Sequence, residues 1–202
     1  MTSKITIQRR KTHRVGIFVD VQNMYHSAKN LYHSRVNFAE LLKAAAADRE
    51  VVRAVAYVVK SDTPEEKSFF DALEKSGFEL KVKDLQIFAG GEKKADWDVG
   101  IAVDAISMAK QLDVVVLVTG DGDFIPLVVY LQHNGHVVEV VAFRRSTSGK
   151  LVEATNNFID LEENKKILLR IPRRGGKGAA KPDVENGSSG GTFMAPRTKS
   201  QE

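Results

Sequence analysis

The chain has 202 residues, no cysteine and a formal net charge of +4 at pH 7. This length suits one domain of ordinary size with tails. Without cysteine, disulfides, zinc–thiolate sites and thiol nucleophiles are excluded. No apolar run is long enough to span a membrane, and the run after the basic first 14 residues is too short for a signal peptide. We therefore expect a cytoplasmic location and no membrane partner.

Positive charge is concentrated at both ends of the sequence. Residues 1–14 carry five lysines and arginines and no acid, residues 161–202 have a net charge of +4, and residues 15–160 have a net charge of −5. Basic ends beside an acidic globular part favour capture of a polyanion such as RNA. Basic tails that only aid solubility are the alternative interpretation.

Strand and helix patterns alternate through most of the chain. Uninterrupted β-branched runs predict strands buried on both faces, and alternating apolar and charged residues predict an edge strand. The predicted strands cover residues 14–20, 51–59, 78–82 (the edge strand), 114–119, 136–143 and 158–161. The predicted helices cover residues 22–31, 38–47, 61–76, 96–111, 124–134 and 148–154, with a loop over 85–94. This order predicts an α/β fold, a three-layer α/β/α sandwich around a mostly parallel sheet.

Composition divides the chain into four parts. A basic N-terminal arm (1–13) precedes a folded domain (14–161), which is followed by a helical extension or linker (162–171). Residues 172–202 are rich in glycine, serine, lysine and proline, a composition that predicts disorder.

Four aspartates stand at the ends of predicted elements. Asp20 ends the first strand, Asp98 lies at the start of helix 96–111, and Asp121 and Asp123 follow the strand 114–119. Because parallel strands end at one edge of the sheet, we expect these carboxylates to converge where α/β proteins bind ligands. Like charges at such range repel by about 4 kcal/mol, so a cation, a shared proton or helix N-termini must compensate them. Oxygen-only ligands favour Mg²⁺ or Mn²⁺, which can lower the pKa of bound water and hold a phosphodiester.

Each aspartate also has a purely structural interpretation. Asp20 and Asp123 could cap helices, Asp98 could complement a helix dipole, and Asp121 could belong to an ordinary glycine turn. The nearby Asp96 is most simply the cap of its own helix. Because the four aspartates lie at the predicted ligand edge and folding does not require them there, a metal site is favoured.

Three further polar residues are candidate substrate contacts. Asn23 lies three residues past Asp20 and could bind a phosphate, a metal-bound water or a base. Lys93 and Lys94 precede the acidic helix on the predicted loop and could reach a phosphate. The simpler alternatives are that Asn23 is an amide on the helix surface and that Lys93 and Lys94 lie on a solvated loop.

Two residues of the acidic helix stay ambiguous. Asp104 lies six residues after Asp98, which puts it on a different face of the helix. It either braces the site or is simply exposed. Trp97 could stack on a base, although packing is the simpler interpretation.

Three motifs together resemble the signatures of the NYN domain. They are Val19-Asp20-Val21-Gln22-Asn23, Lys94-Ala95-Asp96-Trp97-Asp98-Val99 with Asp104, and Thr119-Gly120-Asp121-Gly122-Asp123-Phe124. More closely, residues 14–161 resemble the LabA-like branch of that family, which is related to the PIN-domain nucleases.

This resemblance implies a PIN-like sandwich and a ribonuclease, most simply an endonuclease, that depends on Mg²⁺ or Mn²⁺. A metal-activated water would attack an RNA phosphodiester, and Asn23 would support the site. The resemblance implies that the metal is held, directly or through water, by Asp20, Asp98, Asp121 and Asp123. Asp104 and Thr119 would brace these ligands.

Two other functions remain open. One is a non-catalytic regulatory module that binds RNA or a protein on the same fold. The other is a haloacid-dehalogenase-type phosphatase, because the Asp121–Asp123 segment resembles the late acidic motif of those enzymes. That chemistry needs a second aspartate two residues after the nucleophile, whereas Asp20 is followed by Val21 and Gln22. The sequence leaves open whether the protein forms a homodimer.

Overall fold

The structure is a computed structural model that describes residues 10–60, 63–87, 93–94 and 96–170. The strands are β1 (Arg14–Asp20), β2 (Ser34–Val36), β3 (Glu50–Lys60), β4 (Glu79–Asp84), β5 (Gln86–Ile87), β6 (Lys93–Lys94), β7 (Val114–Val118), β8 (Val137–Ala142), β9 (Asn157–Asp160) and β10 (Leu168–Arg170). The α-helices are α1 (Val21–Tyr32), α2 (Phe38–Ala46), α3 (Pro64–Lys75), α4 (Asp98–Ala109), α5 (Ile125–His133) and α6 (Gly149–Ala154).

Six strands form one parallel sheet in the order β4-β3-β1-β7-β8-β9. The five residues of β7 are all buried, as expected for a strand covered on both faces. The edge position of β4 agrees with its alternating pattern. The predicted α/β fold with a mostly parallel sheet flanked by helices is therefore confirmed.

The order of the strands reverses between β1 and β7. From β1 the chain moves outward to β3 and β4, and α4 then carries it back to β7, from which it continues to β8 and β9. In parallel α/β sheets, ligands bind in the crevice at the carboxyl ends of the strands beside such a reversal. Val19 pairs with Val118, so Asp20 and Thr119 follow at the same level of this crevice.

Local sequence sets the ends of several helices. The Asn37 side chain caps α2 by accepting the backbone N–H of Glu40 at 3.3 Å. Pro64 opens α3, where its missing N–H costs no helical hydrogen bond. Gly77, with φ of 102°, ends α3 in a conformation that side chains rarely adopt.

The sequence patterns did not reveal four short strands. β2 pairs with β10, and β5 pairs with β6, each pair antiparallel. Strands of two or three residues carry too few side chains for a recognisable period. Residues 162–170, for which the sequence suggested a helical extension or linker, contain the end of a 3-10 turn and the strand β10. The predicted arm up to residue 9 and the tail 172–202 lie outside the described residues.

No helix in the described part of the chain is long and apolar enough to cross a membrane.

A buried ion pair ties α2 to the sheet. Arg49 donates from Nη2 to Glu139 Oε2 of β8 at 2.8 Å, and both side chains are almost fully buried. The same guanidinium donates to the backbone carbonyls of Ala45 and Ala46, both at 2.9 Å, at the end of α2. Removing one partner of such a pair leaves a buried charge without its counter-ion.

We expect Arg49→Ala to lower the free energy of unfolding by about 3–5 kcal/mol, because Glu139 would stay buried without its cation. Urea denaturation measures this loss. The control is Arg53→Ala, which breaks the exposed pair between Arg53 and Glu79 and is expected to cost less than about 1 kcal/mol. Equal losses in the two variants would contradict the importance of the buried pair.

Candidate metal site

Three carboxylates meet at the crevice beside β7. Asp98 is the first residue of α4, Asp121 follows β7, and Asp123 lies in the 3-10 turn Gly122–Phe124. Each offers a carboxylate oxygen, and the three oxygens lie within 4.8 Å of one another. Opposite oxygen ligands of an octahedral Mg²⁺ lie about 4.2 Å apart, so a small adjustment would bring all three onto one ion. We call these three residues the acidic triad.

The turn after β7 fixes two members of the acidic triad. Asp121 Oδ1 accepts the backbone N–H of Asp123 at 2.9 Å, and Thr119 Oγ1 accepts the backbone N–H of Asp121 at 3.2 Å. Phe124 is buried and anchors the start of α5. The carboxylates of Asp121 and Asp123 therefore sit on a short, internally bonded turn.

Asp20 lies beside the acidic triad and is not one of the three. Its Oδ1 accepts the backbone N–H of Asn23 at 3.0 Å, so it caps α1, and its Oδ2 accepts the Thr119 hydroxyl at 3.5 Å. Burial raises the pKa of Asp20 to about 6, and the charges of Asp98 and Asp121 add to that effect. Without a bound cation, the pKa of the Asp20 carboxyl therefore lies well above that of an exposed aspartate.

No cationic side chain among those that the structure describes compensates the negative charge of the site. Burial raises the pKa of Asp98, and the neighbouring charges of Asp96, Asp121 and Asp123 raise it further. Among the side chains that the structure describes, no lysine or arginine forms a salt bridge with Asp20 or with the acidic triad. A purely oxygen-based, anionic site of this kind suits a hard divalent cation.

Asn23 links the first helix to the turn that carries the triad. Its Oδ1 accepts the backbone N–H of Gly120 at 3.0 Å. This contact positions the turn relative to Asp20. The sequence suggested Asn23 as a substrate contact, which stays a prediction for its amide nitrogen.

A loop after β8 packs against the two glycines of the turn. Ser148 donates its backbone N–H to the Gly120 carbonyl at 2.9 Å. A Cβ on Gly120 would lie 2.9 Å from the Ser146 carbonyl oxygen, and one on Gly122 would lie 3.0 Å from the Ser148 hydroxyl. Neither of these glycines has a positive φ, so close approach explains them and a special backbone bend does not. The sequence did not identify the loop after β8 as part of the site, because its only signal there is the pair of glycines at positions 120 and 122.

Asp104 lies apart from the acidic triad. Its Oδ2 accepts the Tyr57 hydroxyl at 2.6 Å and the Lys81 ammonium at 2.7 Å. Burial by itself would raise the pKa of Asp104, but these two donors lower it overall. Asp104 therefore forms its own partly buried network, and its role in bracing the site stays a prediction.

Trp97 packs into the domain immediately before Asp98. Its Nε1 donates to the Val58 carbonyl at 2.9 Å, and its ring meets the Tyr57 ring edge-to-face at 5.4 Å between centroids. A Cβ on Gly100 would lie 2.5 Å from the Trp97 ring, so this glycine lets the indole lie on the first turn of α4. These contacts fix the start of α4, which agrees with the packing interpretation of Trp97.

The start of α4 differs from the sequence prediction. Asp96 is not the cap of α4, because the helix begins at Asp98 and Trp97 occupies the cap position without a side-chain hydrogen bond.

The backbone of Lys93 and Lys94 forms β6, but their side chains lie outside the described atoms. Their contact with a phosphate therefore stays a prediction.

The parallel sheet and the acidic triad at the strand-order reversal define an α/β domain with a carboxylate site at the carboxyl edge of the sheet. The family model of the NYN domain, a PIN-like nuclease family, matches residues 14–162, and the chain belongs to this family. It is 28% identical over 167 residues to the "Low amplitude and bright protein LabA" of Synechococcus elongatus, covering 79% of this chain and 90% of that protein. It is also similar to the crystal structure of a protein of unknown function from Vibrio parahaemolyticus, at 36% identity and a TM-score of 0.73, covering 81% of this chain and all of that one.

We expect Asp20→Asn to raise the stability of the metal-free protein at pH 8. The folded-state pKa of about 6 lies above the ordinary value of 3.8, so the ionised carboxylate destabilises the fold above pH 6, and this penalty disappears as pH falls below 4. Asparagine retains the helix cap. The gain at pH 8 is roughly 2 kcal/mol and shrinks at pH 5.

Thermal unfolding in EDTA at both pH values measures this gain. Asp113→Asn is the matched control, because hydrogen bonds from Arg14 lower the pKa of Asp113 to about 2. It should lower the melting temperature at pH 8. A loss of stability in Asp20→Asn at pH 8 would contradict the electrostatic description of the site.

Proposed function

We propose that the protein is a ribonuclease that depends on Mg²⁺ or Mn²⁺ and hydrolyses internal phosphodiesters of RNA. The observation that carries this proposal is the acidic triad, whose oxygens approach one another within 4.8 Å without a described cationic side chain to compensate them. Membership of a PIN-like nuclease family supports the same conclusion.

The donor set fits a hard divalent cation. Asp98, Asp121 and Asp123 would hold it through carboxylate oxygens, with Asp20 next to them. When bound, such a cation supplies charge neutralisation at a phosphodiester and lowers the pKa of a bound water. In this proposal the Asp20 carboxylate, which accepts the Thr119 hydroxyl at Oδ2, takes up the proton of the attacking water.

Two exposed arginines on the loop that contacts the triad-bearing turn support a polyanionic substrate. Arg144 and Arg145 are exposed on the loop after β8, whose later residue Ser148 bonds to the Gly120 carbonyl of the triad-bearing turn. Arg144 lies over the Phe158 ring, and Arg145 Nε pairs with Glu162 Oε2 at 3.5 Å. Phosphate oxygens of RNA can replace such an exposed, long ion pair at little cost.

The second candidate is a non-catalytic module that binds RNA or a protein on the same fold. One observation favours it: Asp20 and Asp121 each accept a backbone N–H, as purely structural caps do. The phosphatase alternative has less support, because Val21 and Gln22 begin α1 and supply no second carboxylate there.

We expect Asp121→Asn to reduce RNA cleavage about 100-fold or more in Mg²⁺ or Mn²⁺, because one anionic ligand of the proposed cation is lost. Cleavage of labelled single-stranded and structured RNA, with and without EDTA, is the measurement. The matched control is Asp71→Asn on the exposed face of α3, which should cleave like the parent protein.

The three outcomes of this assay separate the candidate functions. Metal-dependent cleavage that only Asp121→Asn loses supports the ribonuclease. Equal cleavage by both variants points to a contaminating nuclease and would sink the proposal. RNA binding without cleavage by any of the three proteins would favour the binding module.

We expect the double variant Arg144→Ala/Arg145→Ala to bind RNA more weakly and with a shallower salt dependence, because up to two phosphate contacts are lost. The slope of log K against log salt should fall by about 1–2. Fluorescence anisotropy in EDTA measures binding without turnover. The charge-matched control is Lys43→Ala/Lys75→Ala at the ends of α2 and α3, and an equal change in this control would show a general charge effect only.

A further inference from the structure

A surface pocket of about 410 Å³ runs along β9, which is the edge strand of the sheet opposite β4. The residues that line it are Arg144, Asn157, Phe158, Ile159, Asp160 and Glu163. We call it the β9 pocket. Ligand pockets in proteins measure about 300 Å³ or more, so the β9 pocket has room for a small planar molecule.

The pairing of the strands places the β9 pocket on the same row of the sheet as the metal site. Asp160 of β9 pairs with Ala142 of β8. Two residues earlier in β8, Val140 pairs with Leu117 of β7. Asp160 is therefore level with Thr119, which supports the turn of the acidic triad. The strands β7 and β9 are two strand spacings apart, about 10 Å, which is the rise of about three stacked nucleotides.

The β9 pocket combines a flat cationic surface with two carboxylates. The Arg144 guanidinium lies over the half-buried Phe158 ring, 5.4 Å from its centroid. Nucleobases stack on guanidinium planes and on aromatic rings. Asp160 and Glu163 line the same pocket, and their negative charges repel phosphate. The β9 pocket therefore suits an uncharged planar group with hydrogen-bond donors, such as a base of RNA, better than it suits the RNA backbone.

Two backbone groups hold the Asp160 carboxylate in place. Its Oδ1 accepts the backbone N–H of Arg144 at 3.3 Å and that of Glu162 at 2.9 Å. Among the residues that the structure describes, no donor reaches Asp160 Oδ2, so this oxygen can accept a hydrogen bond from a bound molecule. Cytosine offers an amino group, whereas uracil has a carbonyl oxygen at the same ring position. A carboxylate acceptor therefore discriminates between two pyrimidines of nearly equal size.

We propose that the β9 pocket binds an unpaired RNA base that carries an amino group, with the base stacked on Arg144 and its amino group donating to Asp160. This inference rests on the proposed ribonuclease function and specifies its substrate. A base inside a duplex is already stacked and paired, so only a single-stranded segment can enter the pocket. The substrate is therefore single-stranded RNA. Arg145 does not line the pocket and stays the proposed phosphate contact.

Binding of cytidine and uridine hexamers to the full chain tests this proposal. Fluorescence anisotropy in EDTA measures binding without turnover, and the cytidine hexamer should bind at least about fivefold more tightly. Asp160→Asn should abolish or reverse this preference, because asparagine keeps Oδ1 and replaces Oδ2 with a donor that the uracil oxygen accepts. The charge-matched control is Glu153→Gln at an exposed position of α6, outside the pocket, which should keep the preference of the parent protein.

Arg144→Lys separates stacking from charge. Lysine keeps the positive charge and lacks the planar surface, so both hexamers should bind about fivefold more weakly or worse. The slope of log K against log salt should stay that of the parent protein, because no charge is lost. Circular dichroism verifies that each variant is folded.

Asp121→Asn distinguishes this proposal from the ribonuclease function, because it should lose cleavage and keep the cytidine preference. A base preference in a protein that cleaves no RNA would count against the ribonuclease alone, and cleavage without a base preference would count against the β9 pocket alone. Equal binding of the two hexamers by the parent protein, binding of neither, a cytidine preference that Asp160→Asn retains, or full affinity in Arg144→Lys would overturn the proposal.

Discussion

Mutual repulsion among carboxylates at the reversal between β1 and β7 is the constraint that the site must satisfy. The parallel sheet holds Asp20 at the end of one strand, and α4 and the turn after β7 bring the acidic triad beside it. Burial and neighbouring charge raise the pKa of Asp20 to about 6. Moving these carboxylates apart would relieve their repulsion and stabilise the fold. Their convergence therefore couples the stability of this edge to binding of a cation or a proton.

The surrounding structure holds these charges in place by close backbone packing. Asn23 and the loop after β8 both bond to Gly120, and Trp97 lies against Gly100 at the start of α4. At each glycine a side chain would collide with its neighbour. The glycines of the turn after β7 thus allow three separate segments to pack closely around the site. A rigid arrangement of this kind is what positioning of a charged substrate requires.

Much of this architecture could be predicted from sequence because its signals are local. The β-branched runs of β1, β3 and β7 mark buried strands, and aspartates at element ends converge once the sheet is parallel. The partners of Asp104 could not be predicted, because Tyr57 and Lys81 are distant in sequence and meet it only through tertiary packing. The position of Asp20 outside the triad depends on distances of a few ångströms, and the periodicity of a sequence does not predict distances that small. β10 likewise exists only through its pairing with β2.

Membership of the NYN family and the acidic triad both support the proposal that this edge of the sheet binds a divalent cation. X-ray diffraction from crystals soaked in Mn²⁺, with data collected at the manganese absorption edge, tests that proposal most directly. We expect an anomalous peak ligated by carboxylate oxygens of Asp98, Asp121 and Asp123, which is absent in crystals of Asp121→Asn. Fully soaked crystals with no peak among these three residues would contradict it.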